Sequence, residues 1–186
     1  GVEFLVMGGG STDATPRLLE AFAQAEPRAR ILRQANAGPS AARNAAVAEA
    51  RGQYITYIDA DDDFDPAFCE ALWSAATTGD LDVVYCNGRR IDAKGVPHPH
   101  PIVRKPKPAA PVAGAEWIAN VVEEKDFVHA PWLLAARASI AKATPFPPGI
   151  VHEDVIWTVE LLLRAARVGF LDRELYFYRS TPLSLM

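Results

Sequence analysis

Four short apolar runs alternate with helical patterns over the first half of the chain. These runs predict strands at 2–7, 30–33, 54–58 and 82–86. Each of the first three runs is followed by a segment with apolar or alanine residues at helical spacing, which predicts a helix. Strands that alternate with helices are typical of an α/β protein, in which helices cover both faces of a mostly parallel sheet. We therefore predict a three-layer α/β/α sandwich.

The pattern becomes less regular after the fourth predicted strand. The segment 94–111 is rich in proline and basic residues, which helices and central strands do not tolerate, so we predict a mobile loop there. Beyond it we predict a helix at 113–122, an apolar segment at 127–136, a helix opening at Glu153 and a strand-like piece at 175–179. Five apolar residues are expected to form the core face of that second helix: Val155, Ile156, Val159, Leu162 and Leu163.

Two carboxylates, Asp59 and Asp61, directly follow the predicted strand at 54–58. Because ligands of an α/β sheet bind at the carboxyl ends of its strands, we expect this pair to open on a cleft. Oxygen ligands on a turn suit Mg²⁺ or Mn²⁺ that already carries phosphate oxygens, so a nucleoside diphosphate is the expected ligand. Asp63 or Asp65 is instead expected to cap a helix that begins at Pro66.

The acidic run is also compatible in part with two other kinds of site. Its spacing matches a calcium-binding loop, but Phe64 stands where that loop needs glycine, and a strand precedes it instead of a helix. An aspartyl-phosphate phosphatase also places Asp-x-Asp after its first strand, but its supporting Ser/Thr and Lys motifs are not evident downstream. We therefore favour the diphosphate site.

Composition and charge narrow the classes of function. The 186 residues fit one domain, and a formal net charge of −4 without a basic stripe argues against nucleic acid as a partner. Cys69 and Cys86 lie in a predicted helix and strand without metal-ligand spacing, as expected of reduced cysteines in the core of a cytoplasmic protein. Peripheral attachment at the inner face of the membrane is compatible with the absence of a predicted membrane span.

Three further features are candidates for ligand binding. The glycine turn at 8–10 allows a ligand to approach the backbone closely, although a merely flexible turn would look the same. Arg43 near a helix start can contact a pyrophosphate together with free backbone N–H groups, and its alternative is a solvated arginine. His98 and His100 could bind a metal, but their setting favours an ordinary surface loop.

Taken together, the motifs resemble those of the family 2 glycosyltransferases, which have the GT-A fold, are mostly inverting and use nucleotide-diphospho-sugars. Four stretches match in order and approximate spacing: Gly10-Ser11-Thr12-Asp13, Asn36-x-Gly38 with Ala42-Arg43-Asn44, Asp59-Ala60-Asp61-Asp62, and Glu153-Asp154. The resemblance implies a single GT-A domain over residues 1–186 that transfers a sugar to an acceptor hydroxyl.

The resemblance also implies roles for individual residues. The residues that the resemblance implies for donor binding are Gly9, Gly38, Arg43, Asp59, Ala60 and Asp61. Within this set, Asp59 is expected at the ribose and Asp61 at the metal, with both counted as candidate ligands of Mn²⁺ or Mg²⁺. The donor is expected to be UDP-linked, which is an inference at the level of the family.

On the acceptor side, Asp154 is expected to act as general base, with Glu153 in a supporting role. Trp132 and His152 are expected to shape the pocket of a carbohydrate or lipid-linked acceptor.

Three departures from the family pattern bear on activity. The run at 2–7 matches the family's second strand, so its first strand has no counterpart, and Ala46 replaces a customary glycine. Gly8 and Gly9 stand where an Asp-Asp pair is usual, and that pair normally contributes a contact to the base. Either an N-terminal portion is missing from the chain, or the protein is a catalytically weakened nucleotide- or sugar-binding paralogue. A nucleotidyltransferase would need a phosphate-gripping basic motif, which is not found.

Overall fold

The computed structural model describes residues 1–180, which form two sheets and six α-helices. The strands are β1 (Phe4–Gly8), β2 (Ala29–Arg33), β3 (Tyr54–Thr56), β4 (Asp63–Phe64), β5 (Val83–Ile91), β6 (Pro97–Pro101), β7 (Leu134–Arg137) and β8 (Val168–Arg179). The helices are α1 (Thr15–Ala25), α2 (Gly38–Glu49), α3 (Phe68–Thr78), α4 (Gly114–Glu123), α5 (Ala138–Ala143) and α6 (Glu153–Leu163), and a 3₁₀ turn spans Pro131–Leu133. No helix within this part of the chain is long and apolar enough to cross a bilayer.

The two longest strand pairings are parallel. β1 and β2 form a separate two-stranded sheet, and β5 lies beside β8 with Val83 opposite Val168. The larger sheet has the order β3-β7-β5-β8-β4, and β6 pairs with the C-terminal end of β5. Apart from β5 with β8, the pairings in this sheet are short and antiparallel. This arrangement of helices and strands confirms the predicted α/β class.

The core is centred on β5, whose residues 83–88 are all buried. Because successive residues of a strand point to opposite faces, both faces of β5 must be covered. Helix α3 packs on β5 and β8 and buries Phe68, Leu72 and Ala76. Trp117 of α4 stacks on the ring of Tyr85, with centroids 5.2 Å apart. Helices and sheet thus form the layers that the sequence predicts.

Helix α6 begins at Glu153 as predicted, but its core face is only partly the predicted one: Leu162 is buried, and Val155 and Val159 are half-buried. Its buried residues are Trp157, Thr158, Leu161 and Leu162, whereas Ile156 and Leu163 are 46% and 62% exposed. Trp157 sets this orientation, because its indole N–H donates to the Thr144 carbonyl at 2.9 Å and its ring stacks on Phe146 at 4.3 Å. The aromatic contacts therefore turn the helix away from the aliphatic stripe.

The surroundings of the acidic run differ from the prediction in two ways. β3 ends at Thr56 instead of residue 58, and Tyr57 packs edge-on against the stacked rings of Phe146 and Trp157. The next helix begins at Phe68 instead of Pro66. Asp65 accepts a hydrogen bond from the Ala67 amide at 2.8 Å, so it caps a turn that precedes the helix. Asp63 pairs with Arg179 and caps nothing.

The segment 94–111 contains regular structure, contrary to the prediction that it is entirely loop. β6 pairs antiparallel with β5 at the sheet edge, where proline is tolerated because one side of the strand needs no N–H donor. Further along, Lys107 Nζ lies 2.6 Å from the Asp126 carboxylate, and the two side chains are 4% and 9% exposed. The mobility of this segment, and its response to an acceptor, stay predictions.

Replacing Asp126 by asparagine should lower the free energy of unfolding by about 2–4 kcal/mol, because it leaves the Lys107 ammonium buried without its counter-charge. Urea unfolding measures the loss. Asp80→Asn is the matched control: Asp80 pairs with Arg137 at 2.9 Å, but its side chain is 83% exposed, so less than about 1 kcal/mol is expected. Equal losses in the two variants would contradict a structural role for the buried pair.

Candidate functional site

Helix α2 is fastened to the turn that precedes α6. Ser40 Oγ donates to the Pro147 carbonyl at 2.8 Å, and the Asn44 amide exchanges two hydrogen bonds with the backbone of Phe146, at 2.8 and 2.7 Å. Arg43 lies between these anchors, with its guanidinium carbon 5.2 Å from the centre of the Phe146 ring. The position of Arg43 is therefore fixed by its neighbours on the same helix.

Arg43 links the two acidic motifs of the chain. Its Nη1 donates to Glu153 Oε1 at 2.9 Å, and its Nη2 donates to Asp59 Oδ1 at 3.2 Å. The Arg43 and Glu153 side chains are 19% and 13% exposed, whereas Asp59 is 36% exposed. One guanidinium thus joins the turn after β3 to the first turn of α6.

A tyrosine hydroxyl holds the acidic turn against β8. The Asp59 amide donates to the Tyr176 hydroxyl oxygen at 3.1 Å, and the Tyr176 hydroxyl donates to Asp62 Oδ2 at 2.8 Å. The other Asp62 oxygen accepts from the Arg179 amide at 2.8 Å. Burial raises the pKa of the Asp62 carboxyl to about 6 and also raises the pKa of Tyr176. None of these three hydrogen bonds was predicted from the sequence.

The two predicted metal ligands, Asp59 and Asp61, differ in the contacts that their carboxylates make. Asp59 is paired with Arg43, but Asp61 is exposed, and no hydrogen bond or ion pair within residues 1–180 involves its carboxylate. The described chain contains no group of three or more His, Cys, Asp or Glu that could hold a metal ion. Mg²⁺ and Mn²⁺ that accompany a diphosphate need only one or two protein carboxylates besides water and phosphate oxygens. The residues present therefore fit a cation that arrives with its ligand.

Asp154 follows Glu153 in the first turn of α6. One of its oxygens accepts from the Val155 amide at 3.0 Å, and the other lies 3.8 Å from His129 Nε2. The sequence analysis did not identify His129, because no local motif marks a histidine that meets α6 only in the folded chain. His152 precedes the pair in the left-handed conformation (φ 61°), and its side chain is exposed.

Trp132 is part of an aromatic stack that reaches the acidic turn. Its ring lies over Tyr176 at 4.6 Å and over Tyr178 at 5.4 Å, nearly parallel to both. Since the Tyr176 hydroxyl bonds to Asp59 and Asp62, the stack connects the predicted acceptor residue to the predicted donor residues. This connection depends on β8, which the sequence analysis recognised only in part.

A cavity of about 450 Å³ opens where β1 and β2 end, which is within the usual size of a small-molecule site. Its lining residues are Gly8, Gly10, Ser11, Thr15, Pro16, Leu19, Arg33, Gln34 and Ala35. Gly10 has a φ of +81°, and a Cβ at this position would lie 3.9 Å from the Asn36 amide nitrogen. The glycine turn therefore lies beside the turn that starts α2 at Gly38.

Three predicted donor residues, Gly9, Gly38 and Ala60, have no polar side chain to offer a ligand. A Cβ at Gly9 would meet no atom within 4 Å, so the space around it is open. Ala60 is an exposed residue of the acidic turn. Arg43, Asp59 and Glu153 are thus joined by direct ion pairs. Within residues 1–180, no side-chain hydrogen bond or ion pair joins them to Gly9, Ala60, Asp61 or His152.

The sequence model of glycosyl transferase family 2 matches residues 1–122. The chain belongs to glycosyltransferase family 2. It is 30% identical over 183 residues to the uncharacterized glycosyltransferase YibD of Escherichia coli. This match covers 95% of this chain and 52% of YibD. It is 29% identical over 188 residues to the cholesterol galactosyltransferase of Borreliella burgdorferi, over 95% of this chain and 51% of that protein. The chain thus spans about half the length of these curated relatives.

Solved structures confirm the fold of this family 2 chain. The crystal structure of Staphylococcus aureus TarS in complex with UDP-GlcNAc superposes with a TM-score of 0.79 and 21% identity. The match covers 98% of this chain and 50% of the TarS chain. The fold is therefore GT-A, as the sequence motifs predicted.

Proposed function

We propose that this family 2 domain transfers a sugar from a UDP-linked donor to an acceptor hydroxyl with inversion, assisted by Mn²⁺ or Mg²⁺. The observation that carries the proposal is the double ion pair of Arg43, which brings Asp59 of the donor motif and Glu153 of the acceptor motif to one guanidinium. TarS, which shares the fold, was crystallised with UDP-GlcNAc, and this supports a UDP-linked donor.

On the donor side, the cavity at the ends of β1 and β2 would receive the nucleoside, and the acidic turn would face the diphosphate. Asp61 would hold the cation, since its carboxylate is exposed, and Asp59 would contact the ribose or share the cation. The bound cation would neutralise charge on the departing diphosphate. Arg43 lies in the middle of α2, not near its start as the sequence predicted, and its guanidinium would bring positive charge to the same region through the contact with Asp59.

On the acceptor side, Asp154 would remove the proton of the attacking hydroxyl, and a single in-line displacement would invert the anomeric carbon. Glu153 would fix the start of α6 through its bond to Arg43 at 2.9 Å. Trp132 and His152 would border the acceptor, which we propose to be a carbohydrate or a lipid-linked sugar. A lipid-linked acceptor would agree with peripheral association with a membrane.

UDP should bind at least tenfold more tightly with Mn²⁺ than without it, and Asp61→Ala should remove most of that difference, because it removes the oxygen ligand. Isothermal titration calorimetry with and without Mn²⁺ measures both. Asp63→Ala is the matched control in the same acidic run, since Asp63 already pairs with Arg179 and should leave the metal dependence intact. Equal metal dependence in Asp61→Ala and the unchanged protein would count against the assignment.

A catalytically weakened nucleotide- or sugar-binding paralogue is the second candidate. It is favoured by the turn Gly8–Gly10, which offers no side chain to a base in the adjoining cavity. Hydrolysis of UDP-sugar with Mn²⁺ separates the two candidates: turnover supports the transferase, and binding without turnover supports the paralogue.

A further inference from the structure

Tyr176 lies fully buried in the C-terminal third of β8, yet its hydroxyl reaches the acidic turn. A phenol has one hydrogen to donate and an oxygen that accepts. Both capacities are used here: the oxygen accepts from the Asp59 amide at 3.1 Å, and the hydrogen is donated to Asp62 Oδ2 at 2.8 Å. The hydroxyl thus spans the first and last residues of the turn 59–62.

The turn is also closed by its own backbone, because the Asp62 amide donates to the Asp59 carbonyl at 3.2 Å. That bond shapes the turn but does not orient it on the sheet. Orientation comes from β8, through the Tyr176 hydroxyl and through the Arg179 amide, which donates to the second Asp62 oxygen at 2.8 Å. Asp61 projects from the middle of this clamped turn, without a partner of its own within residues 1–180.

The ring of Tyr176 is itself held in place. It packs against Phe68 of α3, with centroids 5.8 Å apart, and under Trp132, at 4.6 Å. A side chain that is held rigidly by packing also fixes the position of the groups to which it is hydrogen-bonded. This matters because a binding site loses function when its ligating groups shift by a fraction of an ångström.

We propose that Tyr176 is a positioning residue, whose hydroxyl holds the turn 59–62 in the geometry that a metal–diphosphate requires of Asp59 and Asp61. The inference rests on the proposed function, since it assigns the turn to the donor. Tyr176 touches neither donor nor cation and acts through Asp59 and Asp62. Its removal acts on the metal-dependent part of donor binding and leaves the metal-independent part nearly unchanged.

The test uses Tyr176→Phe, which keeps the ring in its stack and removes only the hydroxyl. By calorimetry, the Kd for UDP with Mn²⁺ should rise about tenfold, whereas the Kd without Mn²⁺ should change less than about twofold. Without any ligand, hydrogen exchange of the Asp59 amide should accelerate, because its acceptor is gone. Tyr178→Phe is the matched control, since Tyr178 lies on the same strand under the same Trp132 ring and should change neither reading.

Unchanged exchange of the Asp59 amide together with unchanged UDP affinity in Tyr176→Phe would overturn the inference. If that variant does not fold, Asp62→Ala replaces it: both side-chain bonds of Asp62 to β8 are lost, so metal-dependent affinity should again fall, and full affinity would overturn the inference. A wild-type protein that binds no UDP with Mn²⁺ would refute the proposed function instead. In that case the exchange rate of the Asp59 amide still decides whether Tyr176 holds the turn.

Discussion

Replacing Asp154 by asparagine should lower the rate of sugar transfer by about a hundredfold or more, while the melting temperature and the UDP affinity stay close to those of the unchanged protein. Asparagine can still accept the hydrogen bond that Asp154 takes from the Val155 amide at 3.0 Å, so the start of α6 should persist. It cannot take a proton from the acceptor hydroxyl, and the expected loss is the usual range for removing a general base.

His129 provides the control for this experiment, because its Nε2 lies 3.8 Å from the Asp154 carboxylate. His129→Gln should lower transfer only a few-fold if the histidine orients the acceptor or the carboxylate. The transfer rate, the melting temperature and the UDP affinity are measured for both variants. An Asp154→Asn protein that melts early yet transfers normally would return Asp154 to a helix-capping role. A normal rate in Asp154→Asn with an inactive His129→Gln would move the base to the histidine.

The sequence predicted where the acidic turn lies better than which residues contact it. Asp59 and Asp61 could be placed at a strand end because an apolar run precedes them, and this is a local signal. The ion pair between Arg43 and Glu153 joins residues 110 positions apart and exists only because α2 is fastened to the turn before α6. Neither periodicity nor motif spacing carries that information.

The errors in the fold have the same physical origin. The aliphatic residues of α6 suggested one core face, but Trp157 turned the helix by packing on Phe146. The prolines of 97–101 suggested a loop, but the edge of β5 can pair with a strand that lacks some N–H donors. In both cases a tertiary contact overrode a local preference, which is where prediction from a single sequence reaches its limit.

Arg43→Met should lower UDP affinity at least tenfold and should also lower the free energy of unfolding by about 2–4 kcal/mol. The variant keeps much of the apolar stem but leaves the Glu153 carboxylate, 13% exposed, without its counter-charge. Glu153→Gln alone should also destabilise, because its amide oxygen can still accept from Arg43 but no longer carries the negative charge that pairs with the guanidinium. The contact of Arg43 with the Phe146 ring is lost in every Arg43 variant and therefore cancels in a double-mutant cycle.

The cycle formed by Arg43→Met, Glu153→Gln and the double variant should give a coupling energy of about 1–3 kcal/mol by urea unfolding, since the double variant removes both charges of this pair. The Asp59 carboxylate loses its partner in every Arg43 variant, so that loss cancels in the cycle. The pair of Arg30 and Glu49 is the control: it has a similar distance, 2.8 Å, but its side chains are 29% and 55% exposed, so coupling below about 1 kcal/mol is expected. Equal coupling in the two cycles would show that burial adds nothing to the Arg43–Glu153 bond. The bridge between the donor and acceptor motifs would then be a surface contact, and the loss of UDP affinity in Arg43→Met would have to come from the donor side alone.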